Sequence, residues 1–339
     1  MEKKPEEINS DEWLKDLPLQ AENPAFKPDE LTVCHKCARQ NPPTRLECLY
    51  CGAPLSVSEA QSKFLKPNLR KLEAWEKGFN LIFLPDSNNL NESGFEEIAS
   101  LLKTEKVWLQ KTVRSKKPLP LARVETEKEA EIIQQRLSKL RVETKIISDD
   151  DLRIEKLPRR LRAIDFWDDK LVLIFFNADE IAEINWEDLS LIVMGAIFTR
   201  KISLTEEHKK KGENKLLQTN ETASDEILID IYSQKDEIGY RIEQNGFDFS
   251  CLGAEKTLLV AENIRRLVKI LAARSPKVKL VADYLQIRPY LASVWEVEER
   301  TDSKGLKREK FARFNRENIT TINNSAQFTK YSRLQRHLL

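Results

Sequence analysis

The sequence predicts an α+β chain made of several separately folding pieces, and three observations carry that expectation. Four of the five cysteines fall into two CxxC pairs between positions 34 and 51. Residues 78–150 alternate short apolar runs with helical apolar spacing, and residues 157–276 read as successive short strands closed by one amphipathic helix. The length agrees, because 339 residues exceed the size at which one hydrophobic core usually stops growing.

Residues 1–31 hold nine acidic and four basic side chains (9 − 4 = 5 net negative), four prolines and no sustained periodicity, which predicts a disordered acidic arm. Residues 32–55 contain Cys34-His35-Lys36-Cys37 and Cys48-Leu49-Tyr50-Cys51-Gly52. Each CxxC places two thiolates on one tight knuckle, and two knuckles complete a tetrahedron around one ion, so Cys34, Cys37, Cys48 and Cys51 are the expected ligands of a structural Zn²⁺. With four sulfurs no position is left for a reactive water, and the metal supplies folding energy to a unit too small to bury a sufficient core. His35 is expected at the surface, since the thiolates already suffice. Residues 56–77 have a helical apolar spacing interrupted by Pro67, and predict a broken helical connector.

The stretch from Cys34 to Leu55 resembles the short zinc ribbon common at the ends of bacterial multidomain proteins, and its Cys and Asn spacing is also similar to the Ran-binding-protein type of zinc finger. That resemblance implies a fold and not a ligand. The RNA-binding fingers stack a base on an aromatic directly after the Asn, where this chain has Pro42, and of their arginine set only Arg45 is matched. The ubiquitin-binding fingers carry Thr-Phe where this chain has Ala38-Arg39. Ala38 also replaces the glycine often found after the first knuckle.

In residues 78–150, Phe79–Leu84 is expected as a buried strand, Phe95, Ile98, Ala99 and Leu102 mark one helical face, and Leu121–Val124 makes a second strand. Thr126-Glu127-Lys128-Glu129 is a capping box opening a helix whose stripe is Ala130, Ile133, Leu137 and Leu140. Val142–Ile147 returns as a strand, giving a small βαβαβ sandwich that weakly resembles the C-terminal domain of the ribosomal stalk protein.

From residue 157 to 276, Arg162–Trp167 and Leu171–Phe176 flank Asp168-Asp169 as a hairpin, Ile184–Ile202 adds one or two strands with Gly195 as a bend, and Thr205–Asp225 reads as a long polar loop. Alternation at Ile227–Tyr232 and around Tyr240 continues the meander toward a strand-like Phe247–Leu252, and Leu259–Leu271 supplies the closing helix. This order resembles an antiparallel pleckstrin-homology-like barrel with a C-terminal helix. Phosphoinositide binding is not expected, because the first hairpin loop is net acidic where such binding needs basic residues.

Residues 277–339 form a C-terminal extension. From Thr301 onward it holds nine basic and three acidic residues (9 − 3 = 6 net positive) with Phe311, Phe314, Phe328 and Tyr331 interleaved, so it reads either as a nucleic-acid-binding arm or as a segment docked by its aromatics. The whole chain is nearly neutral, with 56 Lys+Arg against 55 Asp+Glu, which gives no global bias toward nucleic acid or anionic membrane. No run approaches the ~20 apolar residues of a membrane span, and Met1–Gln20 is polar where a signal peptide needs an apolar stretch, so a cytoplasmic location is expected. No nucleotide-binding, metalloprotease or serine-hydrolase motif occurs, and Cys251 reads as a small core residue. The sequence therefore predicts a non-enzymatic zinc-binding interaction or adaptor protein whose partner is another protein. The alternative is a nucleic-acid-associated regulator using the ribbon and the 301–339 tail. Nothing in it fixes an oligomeric state.

Overall fold

The computed structural model describes residues 26–55, 69–73, 75–85, 90–177, 180–208, 215–310 and 313–339. It divides into two compact units, Met1–Pro67 and Asn68–Leu339. Most of the acidic arm and of the connector lies outside the described residues. Residues 69–73 of the connector are not helical, and Leu72 is buried.

In the first unit, β1 (Thr32–Val33) pairs antiparallel with β2 (Gln40–Asn41), and a bridge joins Glu47 to Pro54. Two turns, one per CxxC, hang from these pairs.

The second unit opens with β3 (Phe79–Phe83), then α1 (Glu92–Leu102), α2 (Lys106–Arg114), β4 (Leu119–Val124), α3 (Glu127–Lys139) and β5 (Thr144–Ser148). Two helices, not one, separate the first two strands. Asn91 caps α1 by accepting from Gly94 N–H at 2.9 Å, and Lys103, at φ 51°, ends it in the left-handed region, so the chain restarts as α2. The Thr126 hydroxyl accepts from Glu129 N–H at 3.3 Å, as the capping signal requires. The strands lie in the order β4-β3-β5 with antiparallel neighbours. One sheet face packs under the helices through Leu81, Phe95, Ile98, Leu109, Ile133 and Leu137, and the other, through Ile82, Leu119 and Ile147, joins the core of the larger sheet.

That larger sheet has nine strands and is curled. Its strands are β6 (Arg159–Phe166), β7 (Lys170–Phe175), β8 (Ile181–Asn185), β9 (Leu189–His208), β10 (Lys215–Ser233) and β11 (Tyr240–Glu243), then, after α4 (Val260–Arg274), β12 (Lys279–Val281), and, after α5 (Tyr284–Leu291), β13 (Glu298–Lys310) and β14 (Arg313–Asn323); α6 (Ser325–His337) follows. The order is β13-β14-β9-β10-β11-β6-β7-β8, with β12 beside β9. The pairing is not wholly antiparallel, since β11 meets β6 and β12 meets β9 in parallel. The strand-like run at Phe247–Leu252 is instead a 3₁₀ segment over Phe249–Glu255, capped by the Asp248 carboxylate.

The proximal halves of β9 and β10 are buried on both faces. Ile192, Ile229 and Ile231 meet α4 through Ile264, Leu267 and Leu271, whereas Leu191, Val193, Leu228 and Tyr232 meet Tyr284, Phe328, Tyr331 and Leu334 of α5 and α6. Gly195 is a place of close approach and not a bend: β9 runs straight through it, and an added Cβ would strike the Phe328 ring and come within 2.9 Å of Tyr284. A buried ion pair crosses the same layer, with Arg241 Nε donating to Asp230 Oδ1 at 2.7 Å and its Nη2 to Asp230 Oδ2 at 2.8 Å and to the Thr329 hydroxyl at 3.0 Å.

Beyond Thr199 the sheet continues as a four-stranded antiparallel arm of β13, β14 and the distal halves of β9 and β10. The segment expected as a polar loop is therefore mostly strand. The basic tail is not a free arm either: its first part is β13–β14, and Phe328 and Tyr331 are fully buried in α6.

Candidate metal centre

The ribbon brings the four predicted cysteines together. Their sulfurs all lie within 4.8 Å of one another, with Cys34 Sγ 3.7 Å from Cys51 Sγ and Cys37 Sγ 3.5 Å from Cys48 Sγ. A metal holding four thiolates at about 2.3 Å requires sulfur–sulfur edges of about 3.8 Å, so the donor set fits a tetrahedral ion.

The two knuckles are built alike. Ala38 N–H donates to Cys34 O at 2.8 Å and Gly52 N–H to Cys48 O at 3.0 Å, and each turn then returns a bond to its first cysteine, Cys34 N–H to Arg39 O and Cys48 N–H to Ala53 O. Gly52 and Ala38 occupy equivalent places with φ of 66° and 57°. The left-handed conformation costs a side-chain-bearing residue about 1–2 kcal/mol, so Ala38 carries strain that Gly52 does not. Cys34, Cys48, Ala53 and Leu55 form the ribbon's small buried cluster.

Asn41, fully buried, ties the knuckles together. Its amide nitrogen donates to Arg39 O at 3.0 Å and approaches Cys48 Sγ at 3.5 Å, and its oxygen accepts from Leu49 N–H at 2.8 Å. The backbone favours thiolate at one cysteine of each pair. N–H groups of Cys37 and Lys36 lower the Cys34 thiol. At Cys48 burial opposes ionisation, but the N–H groups of Tyr50 and Cys51 and the Asn41 amide outweigh it and hold the thiol down to about 6. Cys37, despite the Arg39 N–H, is pushed up to about 12 by burial and the neighbouring sulfurs. A cation at the centre removes that mutual repulsion.

No family model matches the chain, and neither a curated protein nor a solved structure matches it.

His35 is exposed, in keeping with a shell completed by sulfur. Asp168 and Asp169 are exposed in the β6–β7 turn, whereas Glu206 and Glu207 stand within β9 and not in a loop. Cys251 lies in the 3₁₀ segment, where burial and then Asp165 push its thiol up to about 11, away from nucleophilic character. One feature escaped sequence reasoning: Tyr50, inside the second CxxC, is exposed, and the Arg39 guanidinium lies 4.7 Å from its ring centre. An aromatic residue between two ligand cysteines was the available signal, since the knuckle turn projects that position outward. Among the described residues no helix is long and apolar enough to cross a membrane.

Proposed function

We propose that the chain is a non-enzymatic interaction protein whose ribbon is held by one structural Zn²⁺ and whose four-stranded arm is the recognition surface. The observation that carries the reading is the arm. Among the described residues, none of Thr199–Glu206, Leu216–Asp225, Glu298–Gly305 or Asn315–Asn323 enters a hydrophobic cluster, and every residue from Leu216 to Asp225 is exposed on both faces of the sheet. Ordering strand backbone costs about 1–2 kcal/mol per residue, which core burial offsets elsewhere and does not offset here. A partner that covers the arm supplies the missing burial. Four soft thiolates in a closed tetrahedron favour zinc and leave no open position for chemistry.

The test compares proteins cross-linked to the full chain with those cross-linked to a chain lacking residues 201–222 and 301–320. Partners lost with the arm and kept by a Cys48→Ser chain support the reading. Partners kept after arm removal transfer recognition to another surface.

A second reading rests on Tyr50 and Arg39. An exposed ring with a guanidinium over it is a stacking platform for single-stranded nucleic acid, worth about 1–3 kcal/mol per base. Binding of single-stranded RNA that weakens steeply with salt and is lost in Tyr50→Ala supports it; no binding at low salt removes it.

A further inference from the structure

The arm has two edges, and they differ in a way that points to what pairs with one of them. On one side lies β13, where Glu298, Glu299, Arg300, Asp302 and Lys304 make five of the first seven residues charged. Charged side chains along an edge are the usual device against strand addition. On the other side lies β10. Its inner end is covered by β11 at Leu228–Ile231, but among the described residues no strand pairs with its outer edge from Leu216 to Asp225. Over the nine residues Leu216–Ser224 only Glu221 is charged, and Arg200 of the neighbouring strand already neutralises it through two bonds of 2.6 Å and 3.0 Å. Leu216 and Leu217 are exposed at the distal end. A long, exposed, nearly uncharged edge presents unsatisfied N–H and C=O groups to any extended strand.

We infer that β10 pairs antiparallel with β10 of a second copy, joining two arms into one eight-stranded sheet about a two-fold axis. The inference rests on the reading of the arm as the recognition surface. A two-fold antiparallel pair sets each residue opposite its mirror about the centre. With Asn220 at that centre, Thr219 meets Glu221, Gln218 meets Thr222, Leu217 meets Ala223 and Leu216 meets Ser224, so no like charges face one another. The β13 edge is guarded instead by its charges, since a strand added there must lie along Glu298, Glu299, Arg300, Asp302 and Lys304. Its charges also oppose a head-to-tail contact between β10 and β13, which does not close and would propagate into fibres. The arm thus has one edge nearly free of charge and one edge guarded by it.

The experiment measures molar mass in solution from about 1 µM to about 100 µM for the full chain and two double variants, Gln218→Glu/Asn220→Glu and Gln218→Lys/Asn220→Lys. The residues directly opposite these positions on β9 are Thr205 and Ser203, neither of them charged. The wild-type chain is expected to dimerise, each variant to dissociate at least tenfold more readily with its thermal transition unchanged, and an equimolar mixture of the two to dimerise again, because two-fold registers centred on Gln218, Thr219 or Asn220 then set acid against base. A wild-type chain that stays monomeric throughout overturns the inference, as does a dimer indifferent to both variants or a mixture that stays monomeric. A monomeric chain that still loses its partners when the arm is removed keeps the arm as a recognition surface and eliminates only the self-pairing.

Discussion

Trp295 donates its indole N–H to Asn80 Oδ1 at 2.7 Å, a bond between residues 215 apart in the chain and both fully buried. Asn80 in turn donates to Ile147 O at 3.1 Å and Asp149 Oδ1 at 2.9 Å, and Asp149 accepts from Arg123 Nε at 2.9 Å. This polar chain fastens the three-stranded sheet to the segment that leads into β13. Trp295→Phe leaves the Asn80 oxygen buried without its donor and is expected to destabilise the larger unit by about 1–3 kcal/mol. Asn80→Leu with Trp295→Phe should cost less than the sum of the single changes. Chemical denaturation of the four proteins of the cycle measures the coupling, and additive losses would show that the bond contributes nothing specific.

The purified chain is expected to carry one zinc ion, measured by elemental analysis. A strong chelator should unfold the ribbon and leave the thermal transition of Asn68–Leu339 in place, because the two units have separate cores. Cys48→Ser should lower metal content; full occupancy in that variant would exclude the four-sulfur shell.

Ala38→Gly removes a side chain from a left-handed position and is expected to stabilise the metal-bound ribbon by about 1 kcal/mol. Competition with a chelator reads this as slower or weaker metal loss. The reverse change at Gly52 should cost a similar amount.

Lys330 is largely buried on α6, and burial, then Arg123, lowers its ammonium pKa to about 8, with Asp149 and Glu298 partly compensating. The unfolded chain holds that proton to about 10.4. Between these values the unfolded state binds more protons, so the penalty is present in full below about 8 and is relieved as pH rises toward 10.4. Lys330→Met should therefore stabilise the chain at pH 7, by at most about 3 kcal/mol, and the gain should shrink above pH 8. Denaturation at pH 7 and pH 10 checks the sign; a constant gain at both would remove Lys330 as its source.

Gly195→Ala forces a methyl group into the Phe328 ring where β9 crosses α6. It is expected to cost about 1–3 kcal/mol by overpacking. Thermal denaturation of the variant, alone and with Phe328→Leu, tests whether the clash is the cause, since the smaller side chain should recover part of the loss.

The ribbon was legible because metal ligation fixes residue type and spacing together, so that Cys34, Cys37, Cys48 and Cys51 needed no tertiary information. Helices α1, α3 and α4 were legible for a related reason: one face of each is buried, and Phe95, Ile133 and Leu267 record that burial at helical spacing. The arm was not. Residues 216–225 are exposed throughout and residues 202–206 only half-buried, so burial marks no clear apolar face there, and the strand character comes from ladder bonds to β14 and between β9 and β10. Helix α2 was hidden by its length of nine residues and by only two buried positions, Leu109 and Thr112. The fate of the tail depended on Gly195, whose lack of a side chain makes room for Phe328 a hundred residues and more away, and no local pattern reports such a partnership.

The burial of α6 also sets a timetable for the molecule's making. Phe328, Tyr331 and Leu334 complete the core beneath β9 and β10, and Arg241 and Tyr232 find their bonds to Thr329 and Ser332 only when this helix is in place. A nascent chain halted at residue 324 would have synthesised every strand of the larger sheet yet would leave Leu191, Val193 and Leu228 without the cover of Phe328, Tyr331 and Leu334. Closure of this half of the protein therefore waits for the translation of α6, and until then the growing polypeptide exposes apolar surface that favours aggregation.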